Sequence, residues 1–138
     1  DQSLTNYAAM NVQARALLEA LGSDLRSATD VTNFTSSTLS LVVPSTPGAT
    51  GGQDVVWTYD SVAATLTRQA GSSSRVYARD IESLSLLYYN MLSAPTTSLV
   101  EVKQVQVNLH MVKLVASAMT SEYVISAQFT MRAKSTTH

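Results

Sequence analysis

Cysteine is absent from the 138-residue sequence, and several kinds of site are excluded with it. Without thiols a chain forms no disulfides, no thiolate zinc sites, no iron–sulfur clusters and no cysteine nucleophile. The absence leaves the cellular compartment open. The low lysine content and the many serines and threonines favour export.

Charge is also scarce, at 14% of residues with a formal net charge of −1. The nine lysines and arginines are scattered, so the sequence has no basic stripe for nucleic acid or acidic lipid.

Apolar runs are only a few residues long, which is too short to cross a bilayer. The hydrophobic fraction of 45% is still enough for one core, so we expect residues 1–138 to form a single domain.

Residues 4–28 have the periodicity of one long amphipathic helix. Eight residues share its apolar stripe: Tyr7, Met10, Ala14, Leu17, Leu18, Leu21, Leu25 and Ala28. Six polar residues are expected outside it: Gln13, Glu19, Ser23, Asp24, Arg26 and Ser27. At about 1.5 Å per residue the helix is roughly 37 Å long, so it either crosses a whole sheet or projects beyond it. The pattern already runs at Leu4, as in a helix that begins further upstream.

After residue 30 the period changes to two, which predicts six or seven antiparallel strands. These cover residues 38–43, 54–60, 64–68, 75–78, 81–90, 101–113 and 122–132, with a loop rich in Pro and Gly at 44–54. Apolar residues change parity between Val102 and Val105, so we expect a bulge or break near Lys103 and Gln104. The order of elements predicts an α+β fold, with the long N-terminal helix packed on antiparallel β-sheet.

Residues suited to act as a catalytic base are few. The histidines are His110, on the polar side of its predicted strand, and His138, the last residue. Asp80 and Glu82 are expected on the same side of a strand, an arrangement more typical of an exposed edge than of a metal or glycosidic site. We predict no catalytic residue, although a cleft that holds His110 beside a carboxylate would reopen the question.

The loop at residues 44–54 has no metal or phosphate signature. Its one carboxylate is Asp54, whereas a calcium-binding loop carries several. Gly51 and Gly52 are not followed by the Gly-Lys-Ser/Thr of a phosphate-binding loop. We therefore predict no metal and no cofactor.

Several strings resemble one known family, the minor pseudopilins and minor pilins. Residues 13–28, QARALLEALGSDLRSA, are similar to the end of that family's long helix, which closes on Asp-Leu-Arg-x-Ala. The strings VVWTYD at 55–60 and TLTR at 65–68 resemble its hairpin of an apolar-x-Tyr strand and a Leu-x-Arg strand. Residues 80–90 resemble the family's next strand, and residues 105–109 and 129–133 resemble its final hairpin. The J-type pseudopilin of type II secretion and the W-type minor pilin of type IV pili look most similar.

This resemblance implies a pilin-like fold and a structural, non-enzymatic role in the bacterial cell envelope. The domain would lie in the periplasm, anchored in the inner membrane by an apolar helix of about twenty residues. That helix and the family's Gly-Phe cleavage motif are absent from this sequence. The implied partners are other minor and major pseudopilins or pilins and the membrane, with no nucleic acid. Such subunits start or tip a filament that drives protein export or forms a pilus.

For partner contact we expect Leu4, Tyr7, Met10 and Asn11, where the helix stripe would extend past the sheet.

Two other functions remain open. A minor pilin that recognises an external surface or cargo would use the loop at residues 44–54. A small secreted enzyme would need a cleft around His110.

Overall fold

The structure is a computed structural model that describes residues 2–46, 51–116 and 119–136. Its elements follow in the order α1 (Gln2–Ser27), β1 (Asp30–Phe34), β2 (Thr38–Pro44), β3 (Gly52–Asp60), β4 (Thr65–Ala70), β5 (Ser73–Ala78), β6 (Ile81–Tyr89), β7 (Gln104–Ala116) and β8 (Met119–Thr130). One N-terminal helix packs on antiparallel sheets, so the predicted α+β class is confirmed.

The apolar stripe of α1 is buried along most of its length. The residues buried as predicted are Met10, Ala14, Leu17, Leu21, Leu25 and Ala28, with Leu18 partly buried. Two residues differ from the prediction. Tyr7 belongs to the stripe but is 48% exposed, and Asp24 was expected in solvent but is buried because Trp57 and Arg68 bind its carboxylate. Over the ranges that the structure describes, no helix has the length and apolar character to cross a membrane.

The strands form two antiparallel sheets. β1 to β5 make a five-stranded sheet in chain order, and β6, β7 and β8 make a three-stranded sheet. β1 was not predicted, because Val31 is its single buried residue and the strand shows no apolar alternation. The described residues therefore contain eight strands instead of the predicted six or seven. The predicted hairpins are confirmed as β3–β4 and β7–β8.

The sheets meet along β6 and share one core with α1. Leu86 N–H donates to Ser36 C=O at 3.0 Å, and Ile81 N–H donates to Ala64 C=O at 3.0 Å. These bonds join β6 to the turns at one end of the five-stranded sheet. The inner side of β7 confirms the predicted alternation, since the following residues are all buried: Val105, Val107, Leu109 and Met111.

Two local predictions need correction. β7 begins at Gln104, not at residue 101, so the change of parity marks the end of a turn and not a bulge within one strand. Val102, which lies between that turn and β7, is fully buried in the core. The prediction that Asp80 and Glu82 share one side of a strand is also wrong. Asp80 has a positive φ of 61° and lies before β6, which begins at Ile81.

Candidate functional site

The C-terminal half of α1 is fastened to the five-stranded sheet through one carboxylate. Asp24 Oδ2 accepts hydrogen bonds from Trp57 Nε1 at 2.8 Å and from Arg68 Nε at 2.7 Å. Arg68 Nη2 donates to Asp24 Oδ1 at 3.1 Å, so the ion pair is bidentate. The hydrogen bond to Asp24 raises the pKa of Arg68, which keeps the guanidinium charged at every ordinary pH.

A close contact with β8 sets the position and direction of the helix. A Cβ atom on Gly22 would lie 2.7 Å from Cε1 of Phe129, so the ring occupies space that only glycine leaves free. Further toward the start of α1, the rings of Tyr7 and Tyr123 meet edge to face with centroids 5.4 Å apart. The two contacts follow the same order along both elements, so α1 runs parallel to β8.

The N-terminal half of α1 has a different character. Residues 2–14 contain no charged side chain, and the first charge in the helix is Arg15. Leu4 and Val12 are 70% and 69% exposed, and Ala8 lies between them at a spacing of four residues. We define the α1 surface as Leu4, Tyr7, Ala8, Asn11 and Val12. One side of this uncharged helix half thus presents apolar area to solvent.

The predicted contact residues divide between this surface and the core. Leu4 and Tyr7 are exposed, and Asn11 is half-buried. Met10 is fully buried in the chain's own core, which leaves it no area for a partner. Val12 was not predicted, because it lies outside the apolar stripe that the periodicity identifies. Residues 2–14 also lack charge on the side opposite the stripe, where Val12 lies, and that lack of charge could have predicted it.

Two buried polar atoms beneath the α1 surface lack hydrogen-bond partners within the described part of the chain. They are Nδ2 of Asn6 and Oγ of Ser121. Asn6 directly precedes Tyr7, and Ser121 stands two residues before Tyr123 on the same side of β8, so both lie at one end of the helix–sheet contact. A buried unpaired polar group costs about 1–3 kcal/mol. This end of α1 is thus less well satisfied than the end at Asp24.

His110 does lie beside a carboxylate, on the outer face of the three-stranded sheet. Its Nε2 is 3.2 Å from Oε1 of Glu122, and a neighbouring depression of about 430 Å³ is lined in part by Ser83 and Ser126. Ser126 donates its hydrogen bond to Asn108 instead, and no described hydroxyl bonds to the imidazole. The contact between nucleophile and base that a triad requires is therefore missing, and the pair is a partly exposed contact between two side chains.

The remaining candidates form no site. Among the described residues no three His, Asp or Glu side chains are grouped as metal ligands. The predicted loop at 44–54 is shorter, since β3 already begins at Gly52. His138 and residues 47–50 of that loop lie outside the described residues.

No protein-family model matches the chain, and no curated protein matches it. The α1 surface is the feature of the described residues whose apolar area stays most open to solvent along a helix.

Proposed function

We propose that the protein is a structural subunit, a minor pseudopilin of a bacterial type II secretion system. The α1 surface would pack against the helices of neighbouring subunits and help to start or tip the filament. The observation that carries this proposal is the uncharged first half of a helix, exposed on one side, whose second half is anchored by Asp24. No catalytic residue, cofactor or metal is part of the proposed role.

The strings that resemble the family also support the proposal. Asp24 belongs to the Asp-Leu-Arg string, Trp57 to VVWTYD and Arg68 to TLTR. In the fold these three residues form the contact that fixes α1 to the five-stranded sheet. Because Met10 and this contact hold α1 against the core, the exposed side of its first half can be presented to a partner. A pilin-like fold is the finer description that we propose for this α+β domain.

Burial of the α1 surface would supply the energy of assembly. Complete burial of a leucine or valine side chain stabilises a complex by about 1.5–3 kcal/mol. Leu4 and Val12 are each about two-thirds exposed, so most of that area is still free. The proposal places the domain in the periplasm, with an inner-membrane anchor upstream of α1 and with other minor and major pseudopilins as partners.

A minor pilin of a type IV pilus, with a role in assembly or adhesion, is the alternative. It would use the same α1 surface for packing, so the helix does not distinguish the two systems. The difference lies in the product, because one filament drives proteins into the medium and the other extends from the cell surface.

The sequence encoded upstream of Asp1 gives the first test. We expect a Gly-Phe junction, a Glu a few residues later and about twenty apolar residues that lead into α1. A precursor with a cleavable signal sequence and no apolar helix joined to α1 would contradict the proposed class.

A second test replaces the gene in its own bacterium with a Leu4→Glu, Val12→Glu double variant. Both side chains are exposed, so we expect the purified domain to keep its free energy of unfolding within about 0.5 kcal/mol. The control is Val62→Glu, at a valine that is 96% exposed in the turn between β3 and β4. The double variant should lose exported proteins from the medium if the system is type II secretion, or surface pili if it is type IV. Normal levels of both would contradict the proposed role of the α1 surface.

A further inference from the structure

β8 is an edge strand of the three-stranded sheet. One edge of β8 pairs with β7, and among the described residues this sheet adds no strand at the other edge. Gln104 lies opposite Thr130, and in the next pair Met131 N–H donates to Lys103 C=O at 2.8 Å. In an antiparallel ladder only alternate residues exchange bonds with a given neighbour. The odd-numbered residues of β8 therefore direct their N–H and C=O groups to β7.

The even-numbered residues direct their backbone groups away from the sheet. These residues are Glu122, Val124, Ser126, Gln128 and Thr130. Among the described residues, Arg132 N–H donates to Thr130 C=O, but no bond reaches the backbone groups of the four residues before it. A row of donors and acceptors thus remains available along the edge of β8.

This edge lacks the features that keep exposed strands from pairing. Natural edge strands are protected by lysine, proline, bulges or short length. Residues 123–130, YVISAQFT, contain no charge, no proline and no glycine. The one irregularity in the pairing of β7 with β8 lies between Leu114 and Ala116, beyond this stretch.

Side chains on the inner side of β8 are also incompletely covered. Tyr123, Ile125 and Phe129 are only half-buried, whereas the residues opposite them on β7 are fully buried. α1 contacts this side of β8 at Tyr123 and Phe129, and part of the same side stays uncovered. A further strand beside β8 would cover it.

We propose that the edge of β8 from Glu122 to Thr130 binds an extended strand of a neighbouring subunit, a partner that rests on the proposed function. The chemistry of the edge specifies the strand. Its apolar residues would alternate with polar ones, to continue the inner side formed by Tyr123, Ile125 and Phe129. Its central residues would be uncharged, and a basic residue would meet Glu122, the one charge at this edge.

The position of the edge fits such a neighbour. The ring contact between Tyr7 and Tyr123 places the start of α1 beside the start of β8. A strand added to β8 would therefore lie next to the α1 surface, so that one neighbour could cover both. Backbone hydrogen bonds would then fix the position of a partner whose apolar contact with α1 is less directional.

The test uses a blocked, fluorescent peptide with the sequence of residues 104–111, QVQVNLHM, which already pairs with β8 in the fold. Binding to the purified domain is measured by fluorescence anisotropy. Val124→Pro removes an outward N–H group, and Val124→Lys adds an edge charge. Val124→Thr keeps the N–H group, and Gln106→Lys adds the same charge to the central strand on the same outer face.

We expect saturable binding that Val124→Pro weakens by about tenfold, the effect of roughly one hydrogen bond. Val124→Lys should also weaken binding, because of the charge at the edge. Val124→Thr and Gln106→Lys should leave the affinity unchanged. Near-wild-type thermal unfolding of all four variants shows that the fold is kept. No binding at about 1 mM peptide, or equal binding by every variant, would overturn the proposal. A concentration-dependent dimer that Val124→Pro abolishes would also overturn it, because a second copy would then be the occupant. Since the peptide assay does not depend on secretion or piliation, its outcome is separate from that of the proposed function.

Discussion

Asp24 of α1 and Arg68 of β4, 44 residues apart in sequence, form a bidentate ion pair with 2.7 Å between Oδ2 and Nε. Trp57 donates to the same carboxylate from β3, so a single side chain joins the helix to two strands. Asp24 is 8% exposed at its side chain and Arg68 is 25% exposed. The pair therefore lies between a surface contact and a fully buried one.

Asp24→Ala should lower the free energy of unfolding by about 2–4 kcal/mol. Loss of one partner of a buried ion pair costs about 3–5 kcal/mol, and the partial exposure of Arg68 reduces this figure. Denaturant titrations that follow fluorescence would report the loss directly, since Trp57 is the single tryptophan. Glu19→Ala, at an exposed carboxylate of the same helix, is the control and should change stability by less than about 0.5 kcal/mol. Equal effects of the two variants would contradict the anchoring role.

Gly22→Ala should destabilise the chain even though alanine favours helix. The helix preference alone would stabilise the variant by about 1 kcal/mol, but the new Cβ atom would lie 2.7 Å from Phe129 Cε1 and overpacking costs about 1–3 kcal/mol. The measurement is a double-mutant cycle with Phe129→Leu. In that background the ring is gone and Gly22→Ala should be neutral or stabilising. A loss of the same size in both backgrounds would show that the close approach is not the cause.

Tyr88→Phe should weaken the fold at neutral pH and flatten its alkaline pH dependence. The hydroxyl donates to Thr35 C=O at 2.8 Å, a bond worth about 1 kcal/mol. Burial raises the pKa of Tyr88 above its usual value of 10.0. Because the unfolded chain loses this proton first, the stabilisation is present below pH 10 and declines as pH rises further. The difference between wild type and variant, measured by urea unfolding, should thus be larger at pH 7 than at pH 11.

Glu122→Gln should change stability by less than about 0.5 kcal/mol. Oε1 of Glu122 lies 3.2 Å from Nε2 of His110, but the two side chains are 61% and 31% exposed, and exposed pairs contribute little. Urea unfolding at low and high salt would measure the effect. A loss comparable to that of Asp24→Ala would mean that the outer face of the three-stranded sheet is more important for the fold than its exposure indicates.

Much of the fold could be predicted from periodicity. The helix stripe, the two hairpins and the alternation of β7 were predicted because a repeating apolar pattern is a property of neighbouring residues. β1 was missed for the same reason, since a strand with one buried residue shows no pattern. The candidate site was predicted in part, because Leu4, Tyr7 and Asn11 lie on the α1 surface while Met10 lies in the core.

By itself the sequence determined the α+β class, the length of α1 and the lack of charge over residues 2–14. Only the tertiary structure decided that Asp24 is buried, that glycine is required against Phe129, and that the even-numbered residues of β8 face outward. The physical reason is the range of the interactions. Periodicity reflects the geometry of a single helix or strand, whereas burial of a carboxylate and the freedom of a strand edge depend on segments far away in the chain.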